Sequence, residues 1–455
     1  MKKLLFAVCI FTLLFTKLSS ADEISDLKAE LKSMQREIRM QAEKMQEMQK
    51  KIERLESKKV QAVEAPKSFE AKPVSTKDFN ASWDNGLKLS TADKNFQTKI
   101  GTVIMADFAG MSEDSEIKGR LGKLSSPAEF RRLRAYTSGT VFKDYVYKLQ
   151  VDFAGGDVGL RDAYAGIQNI PVLGLVRVGQ FTAPFSLEDM TSSNYVTFME
   201  RSLPYALSIH RQTGAGFNST FFDDRMTFAA SLFFNSDSNS AVPISNALNA
   251  AARITGLVWR GDEADKKFLH LGAAYAFRNP SDKENFSYSS SPEIHLAPDF
   301  VDTGDFAGKY TNLLGLESAL VYGPLSLQGE FIQSFVNLND SDSTGYFKGL
   351  YAYASYFLTG EHRAYDKKFG VFARTKPINN FSLQNKTWGA WEVATRYSYL
   401  DFCTEDINGG ALSDVTVGLN WYLNSGMRVM LNYVHAHRNG VGDSDIIATR
   451  FHVYF

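Results

Sequence analysis

The segment 414–423, Asp-Val-Thr-Val-Gly-Leu-Asn-Trp-Tyr-Leu, carries an apolar residue at every second position: Val415, Val417, Leu419, Trp421 and Leu423. Between them lie Thr416, Gly418, Asn420 and Tyr422, small or polar. Asn424, Ser425 and Gly426 make a tight turn, and Val429, Leu431 and Tyr433 resume the apolar row opposite Arg428 and Asn432. The chain finishes on Phe451, Val453 and Phe455, alternating with Arg450, His452 and Tyr454. A period of two with one apolar face describes a strand lying between apolar and polar surroundings. In a soluble sheet the apolar face meets a core. In an outer-membrane barrel it meets lipid, with aromatic residues at both water interfaces.

The bulk composition agrees with the second case. The chain has 455 residues, which as a soluble protein would suggest two or three domains, and 13% of them are aromatic, with 34 Phe and 20 Tyr against 5 Trp. That share suits aromatic girdles better than an ordinary core. A net charge of −1 provides no global field for nucleic acid. Of the two cysteines, Cys9 and Cys403, the first lies in the leader, so the mature chain forms no internal disulfide.

The first 21 residues read as a secretory signal: Lys2 and Lys3, an apolar run from Leu4 to Phe15, and small Ser19 and Ala21 before the cleavage point. The run is too short to span a bilayer, and no later stretch reaches the length of a transmembrane helix. Residues 22–59 read as a coiled coil. Ile24, Leu31, Ile38, Met45 and Ile52 occupy one heptad core position, and Leu27, Met34, Met48 and Leu55 the other, with Gln41 the polar exception. Self-association follows, because a lone helix would leave this stripe in water. Ile and Leu at these positions lean toward a dimer, the Met and Gln weaken that, and a trimer stays open. At about 1.5 Å per residue the rod is on the order of 50 Å long. Residues 60–82, with Pro66 and Pro73, form a linker.

Residues 83–455 read as the barrel. Roughly sixteen strand candidates begin near Phe96, Phe130, Asp144, Leu160, Leu173, Thr213, Arg225, Arg253, Phe268, Asn312, Leu325, Tyr346, Trp388, Ser413, Met427 and Ile446, an allowed even number. If the first strand rises from the periplasm, outer loops should be long and inner turns short. The outer set is long at 110–129, 182–212, 235–252 and 278–309; the inner set is short at 142–143, 171–172, 223–224, 323–324 and 424–426. The inner connection 360–386 breaks the rule, with no physical reason visible in the sequence.

A barrel of this size leaves an aqueous channel. The third outer loop is too apolar to float in solvent, with Phe181, Phe185, Leu187, Tyr195, Phe198 and Met199, and the inner barrel wall would receive it. Phe130-Arg-Arg, the loop from Phe185-Ser-Leu-Glu to Met199-Glu-Arg, Gly389-Ala-Trp-Glu and Gly418-Leu-Asn-Trp-Tyr together resemble the phosphate-selective porins O and P. The terminal Phe455 also resembles the assembly signal of bacterial barrel proteins. The resemblance implies an all-β, 16-stranded antiparallel transmembrane barrel with an N-terminal coiled coil. It further implies a homotrimer in the bacterial outer membrane, with the third loop folded into the pore.

Carried over residue by residue, the family's lumen cations fall on Arg131, Arg132 and Arg201, while Asp162 takes the place of a pore-facing aspartate. Arg134 shares the face of Arg132 by the period of two. The constriction candidates are Phe185, Glu188, Asp189, Asn194 and Tyr195. Two departures weaken an oxyanion site: Asp189 stands where phosphate-binding members have a lysine, and the first strand reads Ile100-Gly-Thr-Val103 without the family's arginine. Other inward charges are mixed: Lys99, Lys148, Arg161, Arg177, Arg225 and Arg396 against Asp107, Asp152, Glu317, Glu330 and Glu392. Taken singly, such residues pair across neighbouring strands and solvate the lumen. Lys148, Arg161, Arg177 and Arg396 join the candidate anion path.

Two rival readings differ in kind. A barrel enzyme would need an aligned nucleophile, base and acid. The seven His are scattered, no Gly-x-Ser-x-Gly or His-Glu-x-x-His occurs, and His435 with His437 lack a third metal ligand. A structural anchor would use the rod to hold the cell wall, and conductance separates it from a channel. The reading favoured is a diffusion porin that passes small hydrophilic, preferably anionic (phosphate-like) solutes. It uses no cofactor or metal, is surrounded by outer-membrane lipid, and carries its coiled coil in the periplasm.

Overall fold

The computed structural model describes residues 32, 36, 39–40, 43–51, 79–236, 248–263, 265–280, 285–338 and 344–455. The signal segment, most of the coiled-coil stretch and residues 60–78 of the linker lie outside that set. Within the expected coiled coil, residues 43–51 are helical and the heptad residues Met45 and Met48 are exposed.

From residue 96 the chain runs as sixteen barrel strands. They are β1 (Phe96–Glu113), β2 (Ala128–Val141), β3 (Tyr145–Asp152), β4 (Gly159–Ile170), β5 (Gly174–Thr182), β6 (Arg211–Phe221), β7 (Met226–Phe234) and β8 (Asn249–Arg260). There follow β9 (Lys267–Arg278), β10 (Phe306–Tyr322), β11 (Leu325–Leu338), β12 (Thr344–Phe357), β13 (Ala390–Cys403), β14 (Asn408–Asn424), β15 (Met427–Arg438) and β16 (Gly442–Tyr454). Each pairs antiparallel with the next, and β16 pairs with β1 from Ser444 opposite Glu113 to Tyr454 opposite Val103. The sheet therefore closes and leaves no long edge unpaired. A hairpin of Phe79–Trp83 and Leu87–Thr91 pairs with the lower part of β1. It takes in residues 79–82, which the sequence reading left in the linker.

The quoted C-terminal strands show why the barrel forms. Val415, Val417, Leu431, Tyr433, Ile447 and Phe451 face outward and are exposed, whereas Asp414, Thr416, Asn420, Arg428, Asn432, Arg450 and His452 are buried inside. Trp391 and Trp421 stack on the outer wall with centroids 5.2 Å apart, near the short-turn end, as an interfacial belt requires. The same alternation conceals a difference. Met430, Val434, Ala436, Ile446 and Ala448 also point inward and are buried, because a core fills part of the lumen.

Three connections fill most of the lumen, and residues 114–127 add Ile117 and Leu124 to the core. Residues 183–210, between β5 and β6, fold into the lumen and bury Phe185, Leu187, Phe198, Met199, Leu203 and Leu207. Each such side chain contributes about 1.5–3 kcal/mol when fully buried. Gly418 makes room for this loop: a Cβ there would stand 3.3 Å from the Phe198 ring. Residues 279–305, where described, close over the long-loop end with Ile294, Phe300 and Val301 buried. Residues 358–389 enter from the short-turn end and bury Val371 and Phe372 against Leu187 and Phe268. This is the long inner connection that broke the loop-length rule.

Candidate functional site

The third loop crosses the lumen because the opposite wall supplies its missing hydrogen-bond partners. Its short helix, Leu187–Met190, is capped by Ser186. The backbone N–H groups of Leu187 and Glu188 donate to the Glu330 carboxylate on β11 at 2.9 and 2.8 Å. This is the anion position favoured by free amides at a helix start. Farther along, Leu203 N donates to Ser398 on β13 at 2.9 Å, Asn420 donates to Thr197 O at 2.8 Å and Arg428 to Val196 O at 2.9 Å. Arg450 on β16 holds the Met199 carbonyl, Asp107 on β1 and Glu200 together.

Most of the candidate cations line one cavity of about 530 Å³ between strands β1–β6, the third loop and the inner connection. Arg131 and Arg132 are neighbours in sequence, yet both reach Glu200, at 2.8 and 3.9 Å. A bulge permits this: Met105 pairs with Arg132 and Ala106 with Phe130, leaving Arg131 out of register. Arg134 pairs with Asp152 at 2.7 Å, and Arg161 with the same carboxylate at 3.3 Å. Lys148 and Arg211 both hold Asp162, at 2.6 and 2.9 Å. Arg177 has no carboxylate in ion-pairing reach among the described residues and lies 4.1 Å from the Phe181 ring centroid.

Arg201 also borders the cavity, but it works on the loop itself. It donates to the carbonyls of Glu188, Asp189 and Thr191 and so caps the short helix. Asn194 and Tyr195 stand on the cavity side, with Asn194 Oδ1 3.3 Å from His452 Nε2. Phe185 and Glu188 do not line the cavity. Phe185 sits in the core, and Glu188 accepts from Ser202 N at 3.0 Å and from the Ser202 hydroxyl. Asp189 borders the cavity with its carboxylate held by the Ser208 hydroxyl and His210 N–H.

Arg396 is placed apart from the rest. It is fully buried behind the loop, 2.6 Å from Glu293 and 3.3 Å from Glu188. Lys99 lines the cavity, whereas Arg225 is exposed in the turn before β7. The five acids expected inward are buried and do not solvate the lumen; Asp107, Asp152 and Glu317 pair with cations, while Glu330 and Glu392 have no cation in ion-pairing reach among the described residues. Glu317 holds Arg253 and His270, at 2.6 and 2.8 Å, and Glu392 accepts from Asn420 and Tyr422.

Sequence reasoning missed the inner connection as a lining element. Arg253 donates to the carbonyls of Phe369 and Gly370 at 3.1 and 2.8 Å, and Tyr365 meets His270 at 2.7 Å. These contacts hold Asp366, Phe369, Val371 and Phe372 against the cavity. The excess length of 360–386 was the one available signal. Arg211 was missed too, although its position at the loop's end was readable.

A phosphate-selective porin O and P family model matches residues 98–455. The chain belongs to the phosphate-selective porin O and P family. It is 27% identical over 414 residues to Porin O of Pseudomonas aeruginosa, covering 81% of this chain and 91% of that one. An uncharacterized protein of Caulobacter vibrioides is 23% identical over 432 residues, with 91% and 85% covered. Among solved structures, the loop L8 deletion mutant of OmpT, an outer membrane protein of Vibrio cholerae, superposes with a TM-score of 0.52 at 10% identity, over 79% of this chain and all (100%) of that one. In-vitro folded OmpT gives 0.51 at 11% identity, over 82% and 99%. These likenesses show the fold, and the family makes the protein an outer-membrane porin channel, not an enzyme.

Proposed function

We propose that this porin forms a passive diffusion path for small hydrophilic solutes and prefers anions, phosphate-like ones included. The observation that carries the reading is the charge of the cavity wall. Nine cations line it (Lys99, Arg131, Arg132, Arg134, Lys148, Arg161, Arg177, Arg201 and Arg211) against Asp162, Asp189 and Asp366. Adding Asp152 and Glu200, which touch the wall arginines from behind, still leaves nine against five. In a confined, partly dehydrated path such an excess concentrates anions and repels cations. No reaction is involved; solutes move down their gradient past the third loop. The family resemblance supports three copies per assembly, the heptad stripe supports self-association without fixing the number, the linker's place before the first strand supports a periplasmic rod, and the exposed apolar outer wall supports a lipid surround.

The test is the reversal potential of the purified full chain in a planar bilayer under a KCl gradient, repeated with added phosphate. Chloride selectivity with block by phosphate is the expected result. Weak or cation selectivity would overturn the anion preference. Absence of conductance would favour the anchor, with the rod contacting the cell wall.

A further inference from the structure

We propose that the preferred solutes are organic anions with one carboxylate and an aromatic body, in preference to bare inorganic oxyanions. The inference rests on the anion preference proposed above and sharpens it.

The first argument concerns which cations are free. Arg131, Arg134, Lys148 and Arg211 each already face a carboxylate at 2.6–2.9 Å. A multiply charged tetrahedral anion would have to converge several of these donors while standing beside Asp152, Asp162 and Glu200. Arg177 differs. Like Lys99, it has no described carboxylate within ion-pairing reach; its partner is Tyr164, and its Nε is buried without a hydrogen bond. The terminal nitrogens of such a guanidinium can satisfy a single carboxylate by two parallel hydrogen bonds.

The second argument concerns what surrounds that guanidinium. It lies 4.1 Å from the Phe181 centroid and 5.5 Å from that of Tyr164, and those two rings meet edge to face at 6.3 Å. The inner connection and the third loop bring Phe369, Phe372 and Tyr195 to the same cavity. Phe181 and Phe372 are buried, whereas Tyr164, Tyr195 and Phe369 are part-exposed, and part-exposed rings beside a water-filled path gain nothing from water. They gain area and quadrupole contacts from a planar apolar solute. The cavity of about 530 Å³ holds such a solute with room to move.

The experiment measures block of the chloride current through the purified full chain by sodium benzoate, acetate and phosphate at pH 7. Benzoate should half-block at a concentration at least tenfold below that of either acetate or phosphate. In Arg177→Gln and in Phe181→Ala the benzoate preference over acetate should fall to less than threefold. The ligand series on the unaltered chain stands whether or not the variants fold. Equal block by benzoate and acetate, or stronger block by phosphate, in a channel that remains chloride-selective would overturn this inference alone. Loss of chloride selectivity in the unaltered chain would overturn the anion reading beneath it as well.

Discussion

Replacing Arg396 by methionine tests how the constriction is held. The guanidinium is 2.6 Å from Glu293 and 3.3 Å from Glu188, donates to the Glu200 carbonyl at 3.1 Å and lies 4.3 Å over the Phe198 ring. One side chain on β13 therefore ties the third loop to the outer loop 279–305. Methionine retains much of the volume but strands two buried carboxylates. Removing one partner of a buried pair costs about 3–5 kcal/mol. At about 1.4 kcal/mol per decade, local docking of the loop weakens by roughly two to three and a half orders of magnitude. Glu330, Asn420 and Arg428 still anchor other parts of the loop. The loop therefore loosens without leaving the barrel. Single-channel recordings of Arg396→Met should show higher, noisier conductance, and thermal unfolding should begin earlier. Ion selectivity should barely move, since Arg396 does not line the cavity. Adding Glu293→Gln and Glu188→Gln should recover most of the stability. Unchanged conductance, noise and melting in the single variant would refute the reasoning.

Three further outcomes follow from other contacts. Changing Arg132 and Arg134 to Glu swings four charges. At about 7 Å in water each contributes about 0.6 kcal/mol to a passing ion, so the chloride-to-potassium permeability ratio should drop at least tenfold, read from the reversal potential. If it does not move, these side chains lie off the conducting path. Glu330→Gln replaces one of the two oxygen acceptors of Leu187 N and Glu188 N by an amide nitrogen and leaves a buried N–H unpaired, at a cost of about 1–3 kcal/mol, so exchange of these amides should speed up about 10- to 100-fold by hydrogen exchange. At the long-loop end, the backbone N–H groups of Ile117 and Asp443 hold the Asp114 carboxyl below its ordinary value. A depressed folded-state pKa means that its support of the helix Ser115–Leu121 is present above the ordinary carboxylate range and is lost as pH falls through the lowered value. Protease cleavage within 115–121 should accordingly rise on acidification in the native chain, and be high and less pH-dependent in Asp114→Ala.

The strands were legible because lipid leaves no alternative. Every strand must show an apolar outer face, and a period of two records it cleanly in several of them, though not in β4, where the adjacent Arg161 and Asp162 both line the cavity. Every candidate strand start falls inside a strand or within two residues of one, Trp388 before Ala390 being the widest miss. Inward-pointing residues were harder to interpret. The period of two gives Arg134 and Arg396 the same status, yet one borders the cavity and the other is sealed behind a loop. What covers an inner face is decided by segments that carry no periodicity. Arg131 shows a second limit. A register rule places it outward, and only the bulge opposite Met105 and Ala106 brings it in.

Asp189 shows why the sign of a residue does not by itself set the sign of a path. A lysine was the expectation from the family resemblance, and the substitution reads as the loss of a cation and the gain of an anion. Its carboxylate, however, accepts from the Ser208 hydroxyl at 3.0 Å and from His210 N–H at 3.1 Å, with the His210 ring 3.3 Å away and only 2% of the side chain exposed. Donors inside the loop answer the charge, which pins the loop's end at 208–210 to its short helix. The same donors would face a lysine ammonium with no acceptor, so a lysine here would have to swing into the lumen and leave the loop's closure unmade. This loop and a lysine at 189 are therefore incompatible as built. On the anion preference proposed above, oxyanion affinity would come from the cavity cations and not from position 189; on strands β2–β6 Arg177 is the one that no described carboxylate holds.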